Sequence, residues 1–239
     1  MKDISLWRSL GVNMLVSTVL FAVFFLLLWL VELLFPSVTL LHFNDFAWCV
    51  GIPASVIGVS YVLTIRNPNN YTGFYPGIVM SALLAWQCFL QGNYDLTILY
   101  VLVFIPFQIK SVITWMRKES ADESEDSKPA FLSRRAQLLS ALFFVVVTAA
   151  DYLLATYVLQ HNSLGEAVGI KLFGALMIAS SILSNFWLIY RKTDAWLYWV
   201  IYSASGIVFF ILAGNAFSVL LFCFFLVINA LAGIAWLKA

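Results

Sequence analysis

The chain has 239 residues, 63% of them hydrophobic and only 10% charged, with a formal net charge of +1. Polar groups are too few to cover a soluble surface, and a near-neutral chain with no basic stripe gives nucleic acid nothing to hold, so a protein of the lipid bilayer is expected. Cys49, Cys88 and Cys223 fall inside apolar runs with neither a CxxC pair nor neighbouring histidines. They suggest no disulfide, metal or cofactor and read as small hydrophobes.

Eight apolar segments predict membrane-crossing helices, at 11–35, 45–65, 74–92, 95–116, 134–159, 167–190, 195–213 and 216–237. The first follows Lys2 and Arg8, but its apolar run of about 25 residues is longer than that of a signal peptide and lacks a small-residue cleavage site, which predicts a retained helix. Pro53, Pro76 and Pro106 place one helix-breaker in each of the next three segments and the last three contain none, so bending is expected in the earlier group. A bilayer core of ~30 Å needs about 20 helical residues; the short segments starting at 74, 195 and 216 therefore demand tight turns, which Gly92-Asn93 and Gly214-Asn215 supply. Glu119 to Pro129 is polar, acidic and closed by proline, the composition of a solvated connector. The helix after it carries Asp151, the deepest carboxylate. With no acidic or histidine partner at comparable depth, Asp151 is expected to bond a neighbouring helix rather than relay protons.

Positive charge sorts to one side. Lys2 and Arg8, Arg66, Lys110 with Arg117 and Lys118, Lys128 with Arg134 and Arg135, Arg191 with Lys192, and Lys238 fall at alternate ends of the segments. The intervening loops hold His42, Asp45, Asp95, His161 and Glu166 but no Lys or Arg. This asymmetry places both termini in the cytoplasm. Lys171 alone dissents, and it can snorkel outward or approach Glu166.

Two distant stretches repeat each other. Ile105–Lys118 (IPFQIKSVITWMRK) and Val227–Lys238 (VINALAGIAWLK) each set an amide seven residues before a tryptophan, with basic residues following. Gln108 thus matches Asn229 and Trp115 matches Trp236; the two Gly-Asn turns also match, with a register slip of one. The chain divides into an extra N-terminal helix with its external loop (1–44), a first three-helix repeat (45–118), a connector with a linker helix (119–166) and a second three-helix repeat (167–239). One linker helix makes both repeats enter the membrane in the same direction. The expected fold is an all-α membrane protein of eight transmembrane helices, one extra plus a 3+1+3 parallel, SWEET-like bundle.

Trp196, Trp199 and Ser203 are spaced i, i+3, i+7 and share one helix face, which Gly206 continues. That face can line a slot where indoles stack a flat ring, with a cation–π contribution of ~0.5–2 kcal/mol if the ring is a pyridinium. An interfacial aromatic belt is the competing reading. Gln108 and Asn229 sit well inside apolar helices, where an amide needs partners: sugar hydroxyls of a ligand, or groups on neighbouring helices. Gln87, beside Trp86, and Asn185, beside Trp187, are further substrate-binding candidates, and Asn185 also fits a packing role. His42 and His161 have no acidic or cysteine partner at ligand spacing, so an enzyme is not expected. With no nucleotide-binding loop or carboxylate pair, facilitated diffusion is the simplest transport mechanism, and a scaffold would leave the recurring amides without a purpose.

The three-plus-one-plus-three arrangement, with Trp196-Leu-Tyr-Trp199 at the head of the penultimate helix and a Gly-Asn turn after it, resembles the PnuC family of bacterial vitamin-uptake proteins from roughly residue 45 onward. The resemblance implies uptake of nicotinamide riboside through the bacterial inner membrane, with trapping by a separate cytoplasmic kinase. It favours the slot over the belt for Trp196 and Trp199. Where the family pattern sets an asparagine four positions after the second tryptophan, this chain has Ser203, which keeps thiamine, riboflavin and deoxynucleosides open as alternative substrates. Homo-oligomerisation is compatible with the resemblance.

Overall fold

The computed structural model describes residues 2–35, 45–92, 94–120, 128–157, 168–214 and 216–238. Its helices are α1 (Lys2–Leu34), α2 (Phe46–Ile65), α3 (Phe74–Leu90), α4 (Tyr94–Leu99), α5 (Ile105–Ser120), α6 (Arg134–Tyr157), α7 (Val168–Ile189), α8 (Ala195–Leu212) and α9 (Ala216–Leu237). Seven stretches among the described residues are long and apolar enough to cross a membrane, and α2 adds a shorter apolar stretch over Cys49–Ile65. The chain is a multi-pass, all-helical membrane protein. Helix α1 starts nine residues before the expected position 11, at Lys2, because a helix can run through polar residues outside the apolar core while satisfying its own backbone. His42, His161, Glu166 and most of the acidic connector lie outside the described residues.

The segment expected at 95–116 is not a uniform α-helix. Tyr100–Phe104 forms a π-helical turn between α4 and α5, with the Ile105 N–H donating to the Tyr100 carbonyl five residues back. Pro106 has no N–H for the carbonyl four residues before it, so a widened turn just ahead of it is a natural response. Pro76 does not interrupt its helix at all: it lies in the first turn of α3, where its missing N–H has no intrahelical acceptor to lose. Pro53 sits inside α2.

Gly92 and Gly214 end α3 and α8 in the left-handed region, at φ of 74° and 69°. Their hydrogen bonds correspond one for one. Gln91 donates to the Gln87 carbonyl at 3.1 Å and Gly92 to Phe89 at 3.1 Å; Ala213 donates to Phe209 at 2.9 Å and Gly214 to Ile211 at 3.1 Å. Glycine ends a helix this way without steric cost to a Cβ. From this turn to the tryptophan, the first hairpin is one residue longer than the second. The π turn accommodates that residue, since α9 runs as regular α-helix throughout.

The chain forms two compact units, Met1–Ile65 with Asn70–Pro106, and Arg66–Asn69 with Phe107–Ala239. In the first, α2 packs on α1 and α3. Polar bonds tie α1 to the far end of α2: Asn13 Nδ2 donates to Thr64 Oγ1 at 3.0 Å, and Thr64 Oγ1 donates to the Ser60 carbonyl at 2.7 Å.

In the second unit α6, α7, α8 and α9 pack in sequence. Helix α7 buries Ala175, Ala179, Ser180 and Ser184, small residues that let neighbouring helices approach closely. The start of α6 is clasped to the α7–α8 turn. Ala130 N–H donates to the Arg191 carbonyl at 3.3 Å, Thr193 N–H returns a bond to Ala130 at 3.0 Å, and the Asp194 carboxylate accepts from Leu132 N–H at 2.8 Å and Gln137 Nε2 at 3.0 Å. Helices α8 and α9 meet at Gly206, where an added Cβ would fall 2.0 Å from the Phe222 ring. Gly206→Ala gains up to about 1 kcal/mol of helix propensity but overpacks a buried ring at about 1–3 kcal/mol. A lower melting midpoint in detergent is expected, partly recovered by adding Phe222→Leu; a raised midpoint in the single variant would contradict this packing.

Candidate ligand-binding site

Helix α8 begins on tight i→i−3 bonds, with Trp196 N–H donating to Thr193 and Leu197 N–H to Asp194, each at 3.1 Å. This start sets Trp196, Trp199 and Ser203 on successive turns of one inward face, 2%, 7% and 0% exposed, while Leu197 and Ala204 face outward. Burial of both indoles is the opposite of an interfacial belt, whose rings lie at the lipid headgroups.

Helix α9 brings Asn229 against that face. Its Nδ2 donates to Ser203 Oγ at 2.9 Å and lies 3.4 Å from the Trp199 carbonyl, to which Ser203 Oγ also donates at 2.9 Å. The close approach is possible because Gly233 leaves its side open to Trp196, whose Cβ would be 3.2 Å from a Cβ at 233. Trp199 meets Tyr202 edge-on at 5.3 Å between ring centroids, and Tyr202 reaches Phe222 at 5.4 Å.

An aromatic chain continues past Trp196. Its ring meets Trp236 edge-on at 5.5 Å, and Trp236 meets Trp115 at 5.7 Å. Trp115 Nε1 donates to the Leu188 carbonyl at 2.9 Å, and the Arg191 guanidinium lies 4.7 Å from the Trp115 ring. Arg191 is buried and is the only non-glycine among the described residues with a positive φ, 54°. Its neighbours at this end are Lys110, over the Tyr190 ring at 5.9 Å, and the edge-on pair Phe186–Tyr190.

The sequence candidates therefore divide. Trp199, Ser203 and Asn229 are gathered in contact, and Trp196 lies one turn before them on the same face, against Gly233 and Trp236. Gln108 is 1% exposed, on the buried face of α5 with Ser111 and Trp115, and so belongs to the same unit through Trp115 and Trp236. Asn185 turns its Nδ2 back to the Ser181 carbonyl of its own helix at 2.9 Å. Gln87 lies in the first unit, half-buried, with its amide close against Gly51. Two buried groups of that unit escaped the sequence reading: Ser60 Oγ and the Tyr61 hydroxyl, neither with a hydrogen-bond partner. Their signal is a Ser-Tyr pair interrupting the apolar run from Val56 to Leu63. In the sequence Arg191 carries no signal beyond a positive charge in a loop.

Three polar atoms of the gathered group are buried without a hydrogen-bond partner: Nε1 of Trp196, Nε1 of Trp199 and Oδ1 of Asn229. Each costs about 1–3 kcal/mol if left so. Two donors and one acceptor beside edge-on and tilted aromatic rings can serve a flat ligand that carries both acceptors and donors. Among the described residues no three His, Cys, Asp or Glu side chains gather as a metal site.

The family model for the nicotinamide mononucleotide transporter matches residues 48–238. A nicotinamide riboside transporter PnuC from Neisseria mucosa is 21% identical over 174 residues, which cover 72% of this chain and 63% of the relative. A crystal structure described as the vitamin B3 transporter PnuC shares the fold, with a TM-score of 0.61, 18% identity, and coverage of 99% of this chain and 90% of that one. With the family model matched over most of its length, the chain belongs to the nicotinamide mononucleotide transporter family, the PnuC transporters.

Proposed function

We propose that the protein carries nicotinamide riboside across the bacterial inner membrane by facilitated diffusion, with alternating access and trapping by a cytoplasmic kinase. The observation that carries this reading is the trio of unpartnered polar atoms on Trp196, Trp199 and Asn229. Trp199 stacks the pyridinium, the indole N–H groups donate to the ligand, and Asn229 and Gln108 grip the sugar arm. The relative from Neisseria mucosa is named a nicotinamide riboside transporter, which favours this ligand over thiamine, riboflavin or a deoxynucleoside. Ser203 keeps those three as the second reading.

The architecture proposed with it has eight crossings, since the 20 residues of α2 span about 30 Å at 1.5 Å each. The matching Gly92 and Gly214 turns support a parallel repeat over 45–118 and 167–239, with α1 extra and α6 as linker. Both termini are placed in the cytoplasm by the positive-inside pattern.

Titrating detergent-purified protein with the four ligands while following tryptophan fluorescence tests the assignment. Nicotinamide riboside is expected to quench wild type and to be recovered unchanged, and Trp199→Ala is expected to weaken its binding at least tenfold, the loss of about 1.4 kcal/mol. Quenching by thiamine alone shifts the assignment to the second reading. A chemically altered ligand indicates an enzyme, and silence with all four indicates a scaffold.

A further inference from the structure

We infer that Ser203 sets the hydrogen-bonding polarity of the site, holding the Asn229 carboxamide with its oxygen outward so that the ligand must present a donor to it. This rests on the preceding reading that Asn229 touches the ligand, and deepens it.

The reasoning is one of counting hydrogens. The Trp199 carbonyl can only accept. Ser203 has a single hydroxyl hydrogen and donates it to that carbonyl, at 2.9 Å, along its own helix. Only lone pairs of Ser203 Oγ remain for Asn229, 2.9 Å away, and the Trp199 carbonyl lies 3.4 Å from the same end of the amide. Two acceptors thus face one end of the carboxamide, and the group between them must be the NH2. A flipped amide would set oxygen against both. Oδ1 is turned away, buried and without a protein donor, and neither indole Nε1 reaches it.

A buried carbonyl oxygen calls for a hydrogen-bond donor. Asn229 is therefore an acceptor toward the ligand, although an unconstrained amide could serve in either role. Ligands with a hydroxyl or N–H at this point bind, and ethers of the same shape are rejected. Ser203 acts through Asn229 as a positioning residue. An asparagine at 203 could donate as well as accept and would not impose this polarity.

The test measures binding of nicotinamide riboside and its 2′,3′,5′-tri-O-methyl ether, which keeps the ribose acceptors and loses the ribose hydroxyl donors, to wild type and to Ser203→Ala, Ser203→Thr and Ser203→Asn. Wild type and Ser203→Thr, which keeps the hydroxyl, are expected to prefer the riboside by on the order of a hundredfold. Ser203→Ala and Ser203→Asn are expected to shrink that preference about tenfold or more, because the amide can turn and donate to the ether. A preference unchanged in both variants, whatever the affinity, overturns the inference while leaving the site in place. If Ser203→Ala does not fold, Ser203→Asn decides alone. Failure of wild type to bind the riboside overturns the underlying reading and this inference with it.

Discussion

Asn229→Leu is expected to abolish uptake of nicotinamide riboside while leaving the protein as stable as before, or more so. The side chain is 1% exposed and its Oδ1 has no protein partner. In the unliganded protein that oxygen is a liability of about 1–3 kcal/mol. Leucine of similar size removes it, and Ser203 keeps its bond to the Trp199 carbonyl. What disappears is the acceptor that the riboside needs, so affinity should fall by on the order of a hundredfold or more. Melting curves in detergent with uptake into proteoliposomes separate the two effects. Lost uptake with a held or raised midpoint is the expected pair; retained uptake would remove Asn229 from the site.

Trp115→Ala is expected to act in the opposite manner, through the fold. Trp115 is 0% exposed, between the Arg191 guanidinium and Trp236, and its indole N–H holds the Leu188 carbonyl near the end of α7. Truncating a buried tryptophan costs about 3–5 kcal/mol, and Arg191 loses a desolvated cation–π contact worth roughly 0.5–2 kcal/mol. A large fall in melting midpoint and poor recovery from the membrane should follow. Trp115→Phe keeps a ring but not the N–H, and should cost only about 1 kcal/mol. Equal stability of Trp115→Ala and wild type would show that the aromatic chain is not a structural element.

These contrasting outcomes come from residues that the sequence marks in the same way, as partners in a repeat. Spacing alone puts Trp196, Trp199 and Ser203 on one face, because a helix returns to the same side every three or four residues. It identifies Gln108 and Asn229 as amides in need of partners, because hydrocarbon offers none. It does not say which partner each finds. Asn185 turns its donor back to its own helix, whereas Asn229 donates to Ser203 on the neighbouring helix and leaves its Oδ1 without a partner, a difference of rotamer and neighbour that pattern cannot carry. Arg191 looks like one of many positive loop residues, and only the turn that reverses the chain between α7 and α8 carries it over Trp115.

The sequence shows the one-residue slip in the repeat but not what absorbs it. A regular helix has no place for an odd residue, and a π turn before Pro106 provides one without breaking the rod. Pro76 is the converse case: a proline reads as a breaker until the helix is seen to start just ahead of it.

Counterflow most directly tests whether the buried Trp199–Ser203–Asn229 cluster serves transport. Proteoliposomes loaded with unlabelled nicotinamide riboside are placed in a trace of labelled riboside, with no ion gradient and no nucleotide. Transient accumulation of label by wild type, absent with Asn229→Leu, is the result expected of facilitated diffusion through this site. Label no higher than in empty liposomes, or equal accumulation by the variant, would contradict it.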